Sequence, residues 1–157
     1  MITSKSVSEI IAGALELMTR GPKGERLKKA AWIKGDAVIE RAFDSEGNPI
    51  AYKFCALGAL SAAAEGVEAA RDEGFYGTLE QAGNLVAEQI PEKYKDFGTY
   101  YDIPEWNDNL SKKHGFRGIK RAFCKALKVA LDKEQKRGTN TRKRASKRSN
   151  KRNARTK

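Results

Sequence analysis

Four residues of this chain have the types required for nucleophilic catalysis. Cys55 follows a stretch predicted to be a strand and begins an alanine-rich stretch predicted to be a helix. A thiol at a helix N-terminus lies near the positive end of the helix dipole, which favours the thiolate. His114 is the only histidine and therefore the candidate base, and Asn107 or Asp108 could orient it. This set would suit a small cysteine-dependent hydrolase or transferase.

The same residues have a structural interpretation, which we favour. A cysteine in a helix of small apolar residues is usually buried and inert. Trp106 would anchor its loop, and Asn107 or Asp108 would accept hydrogen bonds from backbone donors at a turn. The carboxylates between residues 102 and 108 lack the regular spacing of a calcium loop. We therefore predict a non-enzymatic protein with no metal and no cofactor.

The strongest chemical signal lies at the C-terminal end. Residues 136–157 contain 11 Lys and Arg residues and no acidic residue, whereas the whole chain has 31 basic and 20 acidic residues. Residues 1–135 are therefore neutral, and the tail carries the formal net charge of +11. The tail has no aromatic and no branched aliphatic residue, so we expect residues 136–157 to be disordered. Such a cation binds phosphates by counterion release, with little sequence preference.

A basic helix is predicted to lead into this tail. Its apolar residues, such as Phe116, Ile119 and Phe123, recur at helical spacing over about residues 112–135, and Lys and Arg occupy the other side. We expect that basic side and the tail to form one track for nucleic-acid phosphates. The predicted phosphate contacts are Arg117, Lys120, Arg121, Lys125, Lys128, Lys136, Arg137, Arg142, Lys143, Arg144, Lys147, Arg148, Lys151, Arg152, Arg155 and Lys157.

The body preceding the tail is predicted to be one compact domain over residues 1–135. Residues 6–19 form the first helix, with Ser6 and Glu9 as a capping box. A β-hairpin is expected over residues 30–54, because turn-forming residues separate two alternating stretches. The fold class is therefore α+β and mostly helical, with about four helices and a small hairpin.

Two further helices and a loop complete the body. The second helix is expected over residues 55–70, and the third begins after Thr78, with Gln81 completing a capping box. Residues 91–111 contain five aromatic residues and are predicted to be a long loop, either packed by its own side chains or functional. Cys124, next to Phe123, is expected to face the core.

Three segments together resemble a known family of small uncharacterised proteins of bacterial and phage genomes. They are Trp32 on the first strand, Cys55-Ala56-Leu57-Gly58-Ala59-Leu60 at a helix start, and Ile103-Pro104-Glu105-Trp106-Asn107-Asp108 before a last amphipathic helix. The resemblance covers about residues 7–131 and excludes the tail. It implies a phage or mobile-element origin and assigns no activity.

The partners and location follow from charge and cysteine content. Nucleic acid, either DNA or RNA, is the predicted partner of the tail, and the neutral body is expected to contact a protein or the same nucleic acid. Two cysteines far apart form no disulfide framework, and no apolar stretch is long enough for a bilayer. We expect no membrane attachment and a cytoplasmic protein, in the host cytoplasm or the virion if phage-encoded. A particle protein whose tail neutralises packaged nucleic acid is the further alternative.

Overall fold

The computed structural model describes residues 4–71 and 74–153, which form five α-helices and one β-hairpin. This confirms a mostly helical α+β fold with a small hairpin. The additional helix lies in the stretch predicted to be a loop. The elements in chain order are α1 (Val7–Thr19), β1 (Val38–Phe43), β2 (Pro49–Phe54), α2 (Ala56–Glu65), α3 (Gly77–Ala87), α4 (Ile103–Asn109) and α5 (Gly115–Asn153).

Helix α1 begins as its sequence predicts. The Ser6 side chain accepts a hydrogen bond from the Glu9 amide, and the Glu9 carboxylate accepts one from the Ser6 amide, which completes the capping box. The apolar side of α1 is buried against α2, α3 and α5, with Ile11, Ala14 and Met18 fully enclosed. This helix is therefore central to the hydrophobic core.

The hairpin is shorter than predicted. Strands β1 and β2 pair antiparallel, with Val38 opposite Phe54 and Phe43 opposite Pro49. Residues 31–33 were expected to begin the first strand, but they lie on the other side of Phe54. Phe54 accepts a hydrogen bond from the Ile33 amide and donates one to the Ala31 carbonyl. Trp32 and Phe54 consequently form an isolated parallel bridge. Gly35, with a φ of 89°, separates that bridge from β1 and allows the chain to turn.

Helices α2 and α3 differ from prediction at their ends. Helix α2 ends at Glu65, because Gly66 takes a φ of 102°, and a short 3₁₀ turn follows at Glu68–Arg71. Helix α3 begins at Gly77, one residue before the predicted cap. Its N-cap is Tyr76, which makes no side-chain capping bond, so the predicted Thr78–Gln81 capping box is wrong.

The predicted aromatic loop contains regular structure. Residues Glu92–Tyr94 and Tyr100–Asp102 form 3₁₀ turns, and α4 follows directly, with Pro104 in its first turn. The Asp102 carboxylate accepts hydrogen bonds from the Phe97 and Gly98 amides, at 3.0 and 2.8 Å, and fixes the turn before α4. The stretch that was predicted to be a loop therefore contains a helix.

Helix α5 is the longest element, with 39 residues, or about 58 Å at 1.5 Å per residue. Its first half buries Ile119, Phe123 and Ala126 against α1 and α3. The second half is helical through Asn153. The tail was expected to be disordered by itself, and its residues 154–157 lie outside the described part. Lys, Arg and Ala favour helix, and the packed half supplies the nucleus from which a helix extends at low cost.

No helix in the described residues is both long enough and apolar enough to cross a membrane.

Candidate functional site

Asn107 connects three separate parts of the fold. Its side chain is fully buried. The amide oxygen accepts hydrogen bonds from Trp32 Nε1, at 2.8 Å, and from the Ala56 amide at the start of α2, at 3.0 Å. The amide nitrogen donates to the Ile33 carbonyl and to Asp108 Oδ1, both at 3.1 Å. Asn107 therefore holds the segment before the hairpin, the start of α2 and α4 together.

Two glycines allow this junction to close. A Cβ on Gly58 would lie 2.0 Å from the Ala37 carbonyl oxygen, so only glycine allows α2 to approach that backbone. A Cβ on Gly115 would lie 2.7 Å from both the Trp32 ring and the Leu110 Cβ. The Trp32 ring thus lies over the first residue of α5. The three segments that carry the family resemblance, those with Trp32, the start of α2 and α4, therefore meet at one junction.

Cys55 caps helix α2 with its thiol. The sulfur accepts a hydrogen bond from the Gly58 amide at 3.2 Å, in the position where Ser or Asp commonly caps a helix. Burial raises the pKa of the Cys55 thiol, and the negative charge of Asp108 acts in the same direction. The Gly58 hydrogen bond opposes this shift but does not reverse it. The prediction that the helix N-terminus favours a thiolate therefore does not describe Cys55, which stays protonated at neutral pH.

The structure brings three members of the predicted catalytic set together and leaves the fourth outside. Cys55, Asn107 and Asp108 share the junction. His114 is exposed, and its backbone amide donates to Ser111 Oγ at the turn before α5. Within the described residues, His114 makes no side-chain hydrogen bond to Cys55, Asn107 or Asp108. Asp108 accepts from the Gly35 amide at 2.8 Å instead. The structural interpretation expected Asn107 and Asp108 to accept from backbone donors, as they do from the Ala56 and Gly35 amides. The bonds of Asn107 to Trp32, Ile33 and Asp108 were not predicted.

The basic surface of α5 is accessible from Arg117 to Ser149. Arg117, Lys120, Arg121, Lys125 and Lys128 are all exposed on the packed half of the helix. From residue 135 to 149 every side chain is exposed, and we refer to this segment as the distal half of α5. The predicted contacts Arg155 and Lys157 lie outside the described residues. Cys124 also lies on the exposed side, which corrects the prediction that it faces the core.

Glu134 is a positioning residue that the sequence reading missed. Its two carboxylate oxygens accept hydrogen bonds from the Ser8 amide, at 3.1 Å, and the Ser8 hydroxyl, at 2.7 Å. A carboxylate is favourable at the first turn of a helix, so Glu134 fixes α5 against the beginning of α1. An acidic residue within a basic helix was the only signal for it. Beyond Glu134, Arg137 lines a cavity with Val7 of α1 and Gln81 of α3.

In the described part of the chain, no three His, Cys, Asp or Glu side chains come together as a metal site would require. The polar side chains near the junction instead form hydrogen bonds between elements. The arrangement can hold the fold together. Among the described residues, α5 carries a large set of exposed Lys and Arg side chains.

The fold and the junction define a small helical α+β domain with a basic helix added at its end. The chain belongs to a family of unknown function (DUF6197), which matches residues 3–115. All the junction residues lie inside this match, whereas α5 beyond its first residue lies outside it. No curated protein and no solved structure matches the chain significantly.

Proposed function

We propose that this protein is a non-enzymatic accessory protein that binds DNA or RNA through the phosphates, using α5. The charge of α5 carries the proposal. Its sequence contains fifteen Lys and Arg residues and two acidic ones, Asp132 and Glu134. None of its described Lys and Arg side chains forms an ion pair within the described part of the protein. These cations are therefore available to phosphates, whose counterions they would release.

The spacing of these cations supports one continuous contact. Arg117, Arg121, Lys125 and Lys128 recur at intervals of four, four and three, which places them on one side of the helix. The same series continues past the body through Asp132, Lys136, Thr139, Lys143 and Lys147. We refer to these nine positions as the basic stripe. Asp132 is its only acidic member, and it divides the packed half from the distal half.

The distal half offers a second mode of contact. Arg142 and Arg144 are separated by about 200° around a helix of 3.6 residues per turn, so cations lie on opposite sides of this segment. The major groove of duplex DNA admits an α-helix, and its two walls carry phosphates. A helix with cations on several sides would contact both walls without reading bases. This favours affinity that depends on salt and little on sequence.

The test is a binding titration with labelled duplex DNA and with RNA at several salt concentrations. We expect the full chain to show a steep fall in affinity with salt, about 0.9 in log–log slope for each duplex phosphate neutralised. A chain ending at Gln135 should lose most of this salt dependence. Substituting Gln for Arg117, Arg121, Lys125 and Lys128 in that chain should lower the slope further. If truncation leaves both affinity and slope unchanged, α5 is not the binding element.

Asp132 provides a gain-of-binding variant with a matched control. Asp132→Lys replaces the only acidic member of the basic stripe by a cation. We therefore expect tighter binding and a salt dependence steeper by about one phosphate contact. Glu46→Lys changes the net charge equally but lies in the exposed hairpin turn, away from α5. Equal gains in both variants would mean that net charge alone, and not the stripe, governs binding.

The location of the protein would follow from the location of its nucleic-acid partner. A phage-encoded copy would act in the host cytoplasm or in the virion, and co-purification with particles distinguishes the two.

A further inference from the structure

An exposed aromatic cluster lies between α3 and α4, in an acidic part of the chain, whereas α5 is basic. It consists of Phe97, Tyr100 and Tyr101, with Tyr76 beside it. Tyr100 stacks on Tyr101 at 4.4 Å between ring centroids, and Phe97 meets Tyr101 edge-on at 6.3 Å. Tyr76, Phe97 and Tyr101 are 79%, 73% and 64% exposed. Solvent thus reaches several large rings that the protein holds in fixed mutual positions.

The base of this cluster is rigid. Tyr100 stacks on the buried ring of Phe75 at 4.7 Å, and a Cβ on Gly83 of α3 would lie 2.8 Å from the Tyr100 Cβ. The Tyr100 amide donates to Asn84 Oδ1 at 3.0 Å. A hydrogen bond with Tyr101 raises the pKa of Tyr100 to about 12, and the negative charge of Glu80 acts in the same direction. The rings are therefore presented by packed structure, with a carboxylate nearby.

The chain around the cluster is acidic, although the body as a whole is neutral. Residues 72–108 contain nine Asp and Glu residues and only two basic ones, Lys93 and Lys95. Both cations are already engaged: Lys93 lies 4.9 Å from the centroid of the Tyr94 ring, and Lys95 pairs with Glu92 at 2.7 Å. Glu80, Glu92 and Asp96 are exposed. This surface repels phosphates and attracts cationic side chains, which also bind to the faces of aromatic rings.

The protein itself carries a segment of the matching chemistry. The distal half of α5 is rich in Lys and Arg, and every side chain from residue 135 to 149 is exposed. In the same molecule this segment leaves the rings of Tyr76, Phe97 and Tyr101 exposed, so the rings are open to the helix of another copy. We propose that the aromatic cluster is a docking surface for the distal half of α5 from a second copy of this chain.

This inference goes beyond nucleic-acid binding and does not depend on it. The donor and acceptor surfaces are different, so each copy can both give a helix and receive one. Such head-to-tail contacts produce open assemblies unless the geometry closes a ring. Nucleic acid, which would occupy the same helix, is expected to compete with the assembly.

The test is sedimentation velocity of the full chain over a range of protein concentrations, at about 50 mM and about 500 mM salt. We expect wild type to form concentration-dependent oligomers at low salt that dissociate at high salt. Phe97→Ser combined with Tyr101→Ser should weaken association at least about tenfold, since exposed ring faces are lost. Phe43→Ser is the matched control, because Phe43 is an exposed ring at the end of the hairpin. It should associate like wild type.

Circular dichroism verifies that the double variant is folded, and the Glu80→Gln variant provides a second test that leaves the rings intact. Glu80→Gln should weaken association measurably at low salt. A wild type that stays monomeric overturns the proposal, as does association that is equal in all variants. If the double variant instead loses affinity for a single-stranded oligonucleotide while still associating, the cluster stacks on bases and the proposal is wrong.

Discussion

At the scale of the residue, Asn107 uses the full hydrogen-bonding capacity of its amide inside the protein. Its oxygen accepts twice and its nitrogen donates twice, in a position without solvent access. Cys55, one bond away from the Ala56 amide that Asn107 holds, uses its sulfur as a helix cap. In the sequence, Cys55 is a catalytic candidate as a thiol at a helix N-terminus and Asn107 as a partner that could orient His114, whereas in the fold both side chains bind backbone amides.

Asn107→Ala should destabilise the protein severely. The substitution leaves the Trp32 indole nitrogen, the Ala56 amide and the Ile33 carbonyl without their buried partner, at about 1–3 kcal/mol for each group left unsatisfied. We expect the free energy of unfolding in urea to fall by at least about 3 kcal/mol. Asn109→Ala is the control: Asn109 is exposed and makes one bond, to the Glu105 carbonyl. A loss for Asn107→Ala no larger than that for Asn109→Ala would contradict the role of the junction.

The Cys55 thiol should react slowly with thiol reagents near neutral pH. Burial and the charge of Asp108 raise its pKa, so its thiolate forms only at alkaline pH. In a Cys124→Ser background, we expect the native protein to react more slowly than the same protein unfolded in denaturant. Because the folded pKa is raised, the protonated thiol stabilises the native state, and this contribution is lost as pH rises through the folded pKa. Rapid labelling at pH 7 would instead revive the hydrolase alternative.

At the scale of the element, a glycine is required by close packing in α2, whereas a glycine in α5 has no such role and weakens the helix. Gly58 in α2 lies against the Ala37 carbonyl, whereas Gly138 in α5 has no neighbouring atom within 4 Å of where a Cβ would stand. Gly138 is followed by Thr139, Asn140 and Thr141, which all favour helix weakly. The two threonine hydroxyls donate to carbonyls four residues earlier, which is typical of threonine within a helix. These four residues are the weakest part of α5.

Gly138→Ala should stabilise the distal half of α5, by about 1 kcal/mol in helix propensity. Far-ultraviolet circular dichroism of the full chain should show more helix, most clearly at low temperature. Gly58→Ala should do the reverse to the whole body and lower its melting temperature, because the added Cβ would overlap the Ala37 oxygen. Unchanged helicity in Gly138→Ala would mean that residues 138–141 do not limit the helix.

At the scale of the whole molecule, charge is divided between two regions. The α3–α4 region is acidic and carries exposed rings, and the C-terminal helix is basic. The distal half of α5 has only exposed side chains, and Glu134, just before it, fixes the helix to the start of α1 by binding Ser8. Folding of the body and binding by the distal half should therefore be separable.

Ending the chain at Gln135 should leave the melting temperature of the body nearly unchanged. The removed side chains are exposed from residue 136 to 149, so the core keeps its packing. Calorimetry of both chains at the same salt measures this directly. Ending the chain at Lys133 is the matched comparison, because it also removes Glu134 and its two bonds to Ser8. A large loss already at Gln135 would mean that the tail stabilises the body.

The sequence alone determined the fold class, the capping box of α1, the neutral body and the basic end, because these depend on local spacing and composition. Only the tertiary structure decided the role of Asn107, the position of Trp32 beside Phe54 and the exposure of Cys124. Those depend on which distant segments meet, and one residue's type does not reveal its partner. The helical state of residues 136–153 was likewise decided by the packed half of α5, which supplies the nucleus that an isolated basic segment lacks.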